Sequence, residues 1–273
     1  MKKILTVQDI SCFGKCSLTV ASPIISAAGV EAVILPTAVL STHTMFKGFR
    51  VKDMSDTLIP FCEHWKDLNI SFDGIYTGYL GSLSLIDLTD DVCKMFYNGK
   101  TKLFVDPVMA DNGKLYPTFG LSYVEGMKTL CKKADVLLPN ITEACFLTGN
   151  EYKEKYDESY ILKLIEDLKA LGAKKIVLKG VSFEKDKLGI LCYDCESNEK
   201  QYYMRERIPE NFHGTGDIFA SVLSALCVKG VSLYDSAVKA ADFVVESLNK
   251  TLAEENHNTY GVNFEQALYK LTK

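Results

Sequence analysis

Residues 211–226, NFHGTGDIFASVLSAL, set Gly214, Thr215, Gly216 and a carboxylate, Asp217, directly before an apolar stretch. Ile218, Phe219, Val222, Leu223 and Leu226 recur at intervals of three and four, which predicts a helix beginning near Thr215 or Gly216. Glycines let the chain turn tightly and bring backbone N–H groups to the surface, where unpaired amides and the positive end of the helix dipole form an anion site. Asp217 then falls in the first turn, where the dipole favours the ionised form, so a deprotonated carboxylate is expected at neutral pH. Two readings stay open on these residues alone: a helix start with a favourable acid, or an anion site with a proton acceptor beside it.

Three other clusters carry polar groups at telling positions. PNITEACFLTG places Asn140 and Glu143 three apart at a strand-to-helix junction, facing one small volume. An amide oxygen and a carboxylate there suit a hydrated magnesium ion beside nucleotide phosphates, and they equally suit a capping box. VDPVMADNG adds Asp106 at a strand exit, where a carboxylate can orient metal-bound water or a transferring phosphate; Asp111 beside Asn112-Gly113 reads as an Asx turn. LSTHTMFKG offers Thr44 and His43, but neither His43 nor His213 has a visible triad partner, which weakens acyl-transfer chemistry. Cys192 and Cys195 form the one C-x-x-C, and without a second pair or a nearby histidine they read as a strand and its turn.

The elements that must hold these residues alternate. KKILTV, EAVILPT, GIYTG, KLFVDP, DVLLPN and KKIVLKG are β-rich runs separated by helical patterns such as 53–68, 84–98 and 158–171, as in βαβ units. Gly29, Gly172 and Gly230 each close a helical pattern. After residue 180, KLGILCYDCESNEKQYYMRERI predicts an antiparallel hairpin at the sheet edge, followed by helices over 216–229 and 233–250 and a short one from about 263. On this frame Asp9, Thr44, Tyr79, Asp106, Asn140 and Lys179 all fall at the carboxyl ends of strands or just beyond, where open α/β sheets bind ligands.

The chain of 273 residues is 47% apolar, enough to bury a substantial core, and has no internal repeat or Pro/Gly/Ser-rich linker. A net charge of −4 gives no electrostatic reason to expect a nucleic acid or an anionic membrane as partner. No segment approaches the ~20 apolar residues of a membrane span, MKKILTVQDISCFG is too soon interrupted for a signal peptide, and nine scattered cysteines read as reduced thiols, so a cytoplasmic protein is expected.

GTGD opening a late helix, N-x-x-E ending a middle strand and DPVM-x-D-x-G between them together resemble the ribokinase superfamily, in its pyridoxal (pyridoxine, pyridoxamine) kinase branch. The resemblance runs over nearly the whole chain. It implies one ribokinase-like α/β domain over 1–273: a mostly parallel central sheet flanked by helices on both faces, with the antiparallel edge hairpin. It also implies ATP and Mg2+, often a monovalent cation such as K+, usually a homodimer, and transfer of the γ-phosphoryl group to the 5′-hydroxymethyl of a vitamin B6 vitamer. By this resemblance Asp217 is the base and Gly214, Thr215 and Gly216 the anion hole. Asp106, Asn140, Glu143 and Lys179 serve the nucleotide, with Asp106 and Glu143 near the metal, while Asp9, Thr44 and Tyr79 join Asp217 at the small substrate. One departure stands out: many pyridoxal kinases have Ser-His where this chain has Asp9-Ile10, and DIS is similar to the D-P-S of hydroxymethylpyrimidine kinases of thiamine synthesis. That kinase is one alternative, and a non-catalytic vitamin- or nucleotide-binding protein of the same fold is another.

Overall fold

The computed structural model describes residues 1–272. In chain order the elements are β1 (Lys3–Ser11), α1 (Leu18–Ala27), β2 (Glu31–Leu40), β3 (Val51–Asp53), α2 (Ser55–Asp67), β4 (Gly74–Thr77), α3 (Leu83–Phe96), β5 (Lys102–Val105), β6 (Ala110–Asp111) and β7 (Lys114–Leu115). They continue with α4 (Leu121–Cys131), β8 (Val136–Leu137), α5 (Ile141–Thr148), α6 (Glu158–Ala170), β9 (Lys175–Val181), β10 (Lys187–Asp194), β11 (Lys200–Glu206), α7 (Thr215–Val228), α8 (Leu233–Leu252) and a 3-10 segment, Phe264–Lys270. Among the described residues the main sheet has nine strands in the order β11-β10-β9-β8-β5-β4-β1-β2-β3.

The six inner strands from β9 to β2 pair in parallel, as the βαβ alternation predicts, and the hairpin β10–β11 joins antiparallel at one edge. Side chains alternate between the two sheet faces, and both faces are covered. Leu5, Val7, Ile75, Leu103, Val105 and Leu178 pack into one apolar cluster. Ile4, Tyr76, Phe104, Val136 and Val177 belong to the other, with residues of α1, α7 and α8. Gly29, Gly172 and Gly230 follow α1, α6 and α7 with φ of 80°, 113° and 93°, the left-handed stop the sequence pattern predicts.

Several details depart from the sequence reading. β3 pairs with Ala38–Leu40 at the far edge, and β6–β7 is a small separate hairpin whose turn, Asn112-Gly113, has φ of 50° and 76°. Both φ values are positive, as a two-residue hairpin loop requires. The final helix is a 3-10 segment rather than an α-helix. Two residues expected just past or at strand ends lie inside strands. β1 runs on through Asp9 to Ser11 because the pairing slips between Gln8 and Ile10, where β2 carries an extra residue. β9 likewise runs past Lys179 to Val181.

Candidate active site

The carboxyl ends of β5, β8 and β9 and the start of α7 enclose a cavity of about 650 Å³, within the size range of small-molecule sites. Asp106, Asn140, Glu143, Lys179 and Gly214 to Asp217 all line it, so these residues, drawn from four parts of the chain, converge as expected. At its centre the Lys179 ammonium donates to both oxygens of Asp106 at 2.8 Å, and Asp106 is 1% exposed. Burial pushes the Asp106 carboxyl up, opposed by Lys179. Burial acts to lower Lys179, but the negative charges of Asp106 and Glu143 outweigh it and hold the ammonium above its ordinary value. The two-pronged contact therefore assigns the proton to Lys179.

Asn140 and Glu143 form the capping box. Asn140 Oδ1 accepts from Glu143 N at 2.8 Å, and Glu143 Oε2 accepts from Asn140 N at 2.7 Å. The other Glu143 oxygen accepts from Met109 N at 3.3 Å, and Asn140 Nδ2 donates to Ala110 O at 2.9 Å. The helix start and the loop after β5 are thereby locked together. Capping does not take Glu143 out of the cavity. Burial pushes its carboxyl up to about 8, with Asp106 adding to the rise while Lys179 and the two amides oppose it.

α7 begins on Gly214 in the left-handed region (φ 81°) with no side chain capping it, so the first-turn amides have no acceptor within the helix. A Cβ on Gly214 would stand 2.1 Å from the Lys15 carbonyl oxygen, whereas one on Gly216 would stand 3.8 Å from Lys179 Nζ. Gly214 is thus required by backbone contact, and Gly216 leaves open space beside the cation. Asp217 Oδ2 accepts from Ser17 N at 2.9 Å. Its side chain is half-buried by area yet sits at the base of the cleft with protein on most sides, and that desolvation raises it to about 7. The Ser17 amide and Lys179 pull it down, and Asp106 and Asp9 push it up. The expectation of a fully ionised acid is corrected here: the helix dipole is outweighed by burial among other carboxylates.

Asp9, Thr44 and Tyr79 do not line this cavity. Asp9, 3% exposed and raised by burial, accepts from Ser11 Oγ at 3.0 Å and is close enough to Asp217 for its charge to raise it. Tyr79 is half-buried with its ring 5.5 Å from that of Phe119, and it feels the Asp9 charge. Thr44 is exposed on a turn, and its neighbour His43 is buried instead, with Nε2 2.9 Å from Tyr260 O. Sequence reasoning missed Ser17, whose contribution is a main-chain amide and leaves no signature. It also missed Arg205, near the end of β11, and Arg207, just beyond it, which line the cavity and stand two apart in YYMRERI.

Asp106, Glu143 and Asp217 act on the one ammonium of Lys179, and the full lining, which adds Arg205 and Arg207 but also Asp111, Glu154, Glu206 and Glu210, has more acids than cations. Among the described residues no group of three or more His, Cys, Asp or Glu could hold a metal ion. That donor set fits magnesium, which keeps most of its waters and takes few protein ligands, and the buried excess of negative charge favours a cation there.

The phosphomethylpyrimidine kinase family model matches residues 24–262. This chain belongs to that family. Within the family it falls in the pyridoxal kinase branch and has its ribokinase-like fold. The crystal structure of pyridoxal kinase from Lactobacillus plantarum is 32% identical, with a TM-score of 0.91 over 99% of this chain and 96% of that one. A Bacteroides thetaiotaomicron protein provisionally assigned as a phosphomethylpyrimidine kinase, crystallised with pyridoxal, is 35% identical, with a TM-score of 0.94 over 100% and 96%. A Caenorhabditis elegans protein provisionally assigned as a pyridoxal kinase is 32% identical over 157 residues, 56% of this chain, and the match spans about half (48%) of that relative's length.

The two glycines of this family member are expected to separate under substitution. Gly214→Ala meets both positive φ and the Lys15 carbonyl and should cost about 2 kcal/mol or more, while Gly216→Ala should change stability by less than about 1 kcal/mol. Denaturant titration checks this, and equal losses would mean that the Lys15 contact yields freely. The raised carboxyls set a pH dependence as well. Asp217 and Glu143 bind protons more tightly folded than unfolded, so their stabilisation is full below about pH 4 and is lost as pH rises through about 7 and 8. The Tm of the ligand-free protein should fall over that rise, and Asp217→Asn, which cannot ionise, should flatten the fall by about 2–4 °C per kcal/mol relieved. Identical slopes would show that Asp217 titrates as an ordinary carboxyl.

Proposed function

We propose that this chain is an ATP-dependent kinase that transfers the γ-phosphoryl group to the 5′-hydroxymethyl of pyridoxal, pyridoxine or pyridoxamine. The single observation that carries the mechanism is the Asp217 carboxylate lying against the uncapped, glycine-built start of α7 on the floor of the cavity. The likeness to the Lactobacillus plantarum pyridoxal kinase, and to a structure containing pyridoxal, supports the choice of substrate.

A primary alcohol is a poor nucleophile, and phosphoryl transfer needs alignment, a proton acceptor and donors for the equatorial oxygens. Asp217 takes the hydroxyl proton as the alcohol oxygen bonds to the γ-phosphorus, and the bond to the β–γ bridging oxygen breaks to release ADP. The amides of Thr215 and Gly216 and the Lys179 ammonium offset the charge on the transferring oxygens. Asp9, Tyr79 and Thr44 contribute to the small-substrate side, with Asp9 offering a carboxylate to a protonated ring nitrogen or an amino group. Asp106 and Glu143, with Asn140, would hold hydrated Mg2+, which supplies charge neutralisation for the phosphates. A monovalent cation such as K+ belongs to the same proposal, on the resemblance alone.

The whole chain acts as one domain, a reading supported by the single main sheet. A homodimer is supported by β2, whose edge is covered by β3 only at Ala38–Leu40 and whose Ile34 is 41% exposed. A cytoplasmic setting is supported by nine free thiols. Among the described residues no helix is long and apolar enough to cross a membrane.

Substrate choice is tested by kcat/KM on the three vitamers and on hydroxymethylpyrimidine. The best vitamer is expected to exceed the pyrimidine, and the reverse order would move the chain to thiamine synthesis. Asp217→Asn should lower kcat by about 10²- to 10⁴-fold with the fold intact, and the wild-type kcat/KM should rise with pH through about 7, where the base ionises. Near-wild-type turnover in that variant would remove Asp217 as the base.

A further inference from the structure

Ser17 is buried and adopts φ 54°, ψ −134°, a conformation that residues with a Cβ rarely take. Such backbone persists only where its surroundings over-determine it. Its N–H is the one that meets Asp217. It is bridged to Ile10 at the end of β1, and the chain before it is tied down at Lys15, two residues earlier. Lys15 Nζ donates to Asn263 Oδ1 at 2.7 Å and to Glu265 Oε2 at 2.8 Å, and it stands 5.8 Å from the centre of the Phe264 ring. That acceptor segment is itself anchored, since Asn263 N donates to Thr251 Oγ1 of α8 at 2.8 Å and Val262 and Phe264 are buried. Two glycines approach Lys15 closely: a Cβ on Gly261 would stand 2.5 Å from Lys15 Cβ, and one on Gly214 2.1 Å from its carbonyl oxygen.

We propose that Lys15, clamped by Asn263 and Glu265, is a positioning residue that keeps the Ser17 N–H on Asp217 and so makes the segment over 260–265 part of the active site. This rests on the reading of Asp217 as the base. The ion pair of Lys15 with Glu265 is partly exposed and adds little stability by itself, so its value lies in geometry. An N–H donor favours the ionised carboxylate, and losing it shifts Asp217 towards the protonated form. The other groups that bear on Asp217 are Asp9, Cys16, Tyr76, Asp106, Tyr116 and Lys179. Of these, Tyr76, Asp106 and Lys179 sit on or at the end of sheet strands and do not depend on the clamp.

Lys15→Met keeps the stem over Phe264 and removes the donors. Its kcat/KM profile should have the acidic limb displaced upward by about one pH unit, giving about a five-fold loss near pH 7 that is recovered at alkaline pH, with KM for ATP unchanged. Glu265→Ala, at a position that is half exposed, should shift the limb in the same direction by less. A profile that overlays the wild type, or a loss equal at every pH, in Lys15→Met overturns the clamp; if that variant fails to fold, the same outcomes in Glu265→Ala decide. Asp217→Asn is measured alongside. An inactive Asp217→Asn with an unshifted Lys15→Met sinks the clamp alone, and a fully active Asp217→Asn sinks the base and the clamp together.

Discussion

The pair of Lys179 with Asp106 is the interaction on which the cavity depends. β9 and β5 are not neighbours; β8 lies between them, so the two backbones stand about two strand spacings, roughly 9–10 Å, apart. β8 is only Val136–Leu137 long, but the chain stays paired beyond it: Leu138 N donates to Val105 O at 2.9 Å, Lys179 N donates to Pro139 O at 2.8 Å, and Asn140 bridges to Lys179 in parallel. The long lysine stem reaches Asp106 past the end of this intervening segment. Stranding one partner of such a buried pair costs about 3–5 kcal/mol, so the two side chains behave as one unit.

The pair also sets the electrostatics of its neighbours. One ammonium serves three buried carboxyls, and Asp106 takes both of its short contacts. Glu143 and Asp217 are left with weaker compensation, from two backbone amides and from one, and burial raises both towards neutrality. An acid poised near physiological pH is suited to accept a proton, which a strongly stabilised carboxylate does poorly. The ligand-free cavity therefore holds protons that cationic or phosphate ligands can redistribute on binding.

At both helix starts the residues that build the structure also face the cavity. At α5 the capping box that ends β8 also keeps Glu143 in the cavity and ties Met109 and Ala110 to it. At α7 the left-handed Gly214 serves the turn, the open amides and the contact with Lys15 together. Capping and chemistry are thus not competing explanations for these residues.

Much of this was legible in the chain. Short β-rich apolar runs alternating with helical stripes determined the parallel sheet and its coverage, because burial on both faces imposes continuous apolar strands. GTGD and N-x-x-E determined where the glycine-built helix start and the capping box lie, since glycine conformation and helix capping are local properties. The tertiary structure decided the rest. β3 and the hairpin β6–β7 are two or three residues long, too short for a period to register. Asp9 lies within β1 because the ladder with β2, remote in sequence, resumes after an extra residue in β2 and pairs Ile10 and Ser11. That Thr44 and Tyr79 stand outside the cavity lined by Asp106 and Lys179 was also decided by the packing, because proximity to a strand end does not fix which rim a side chain faces. Asp217 titrates near 7 rather than as a surface acid because its surroundings arrive from Asp9, Ser17, Asp106 and Lys179, and the desolvation they impose exists only once those distant segments are packed together.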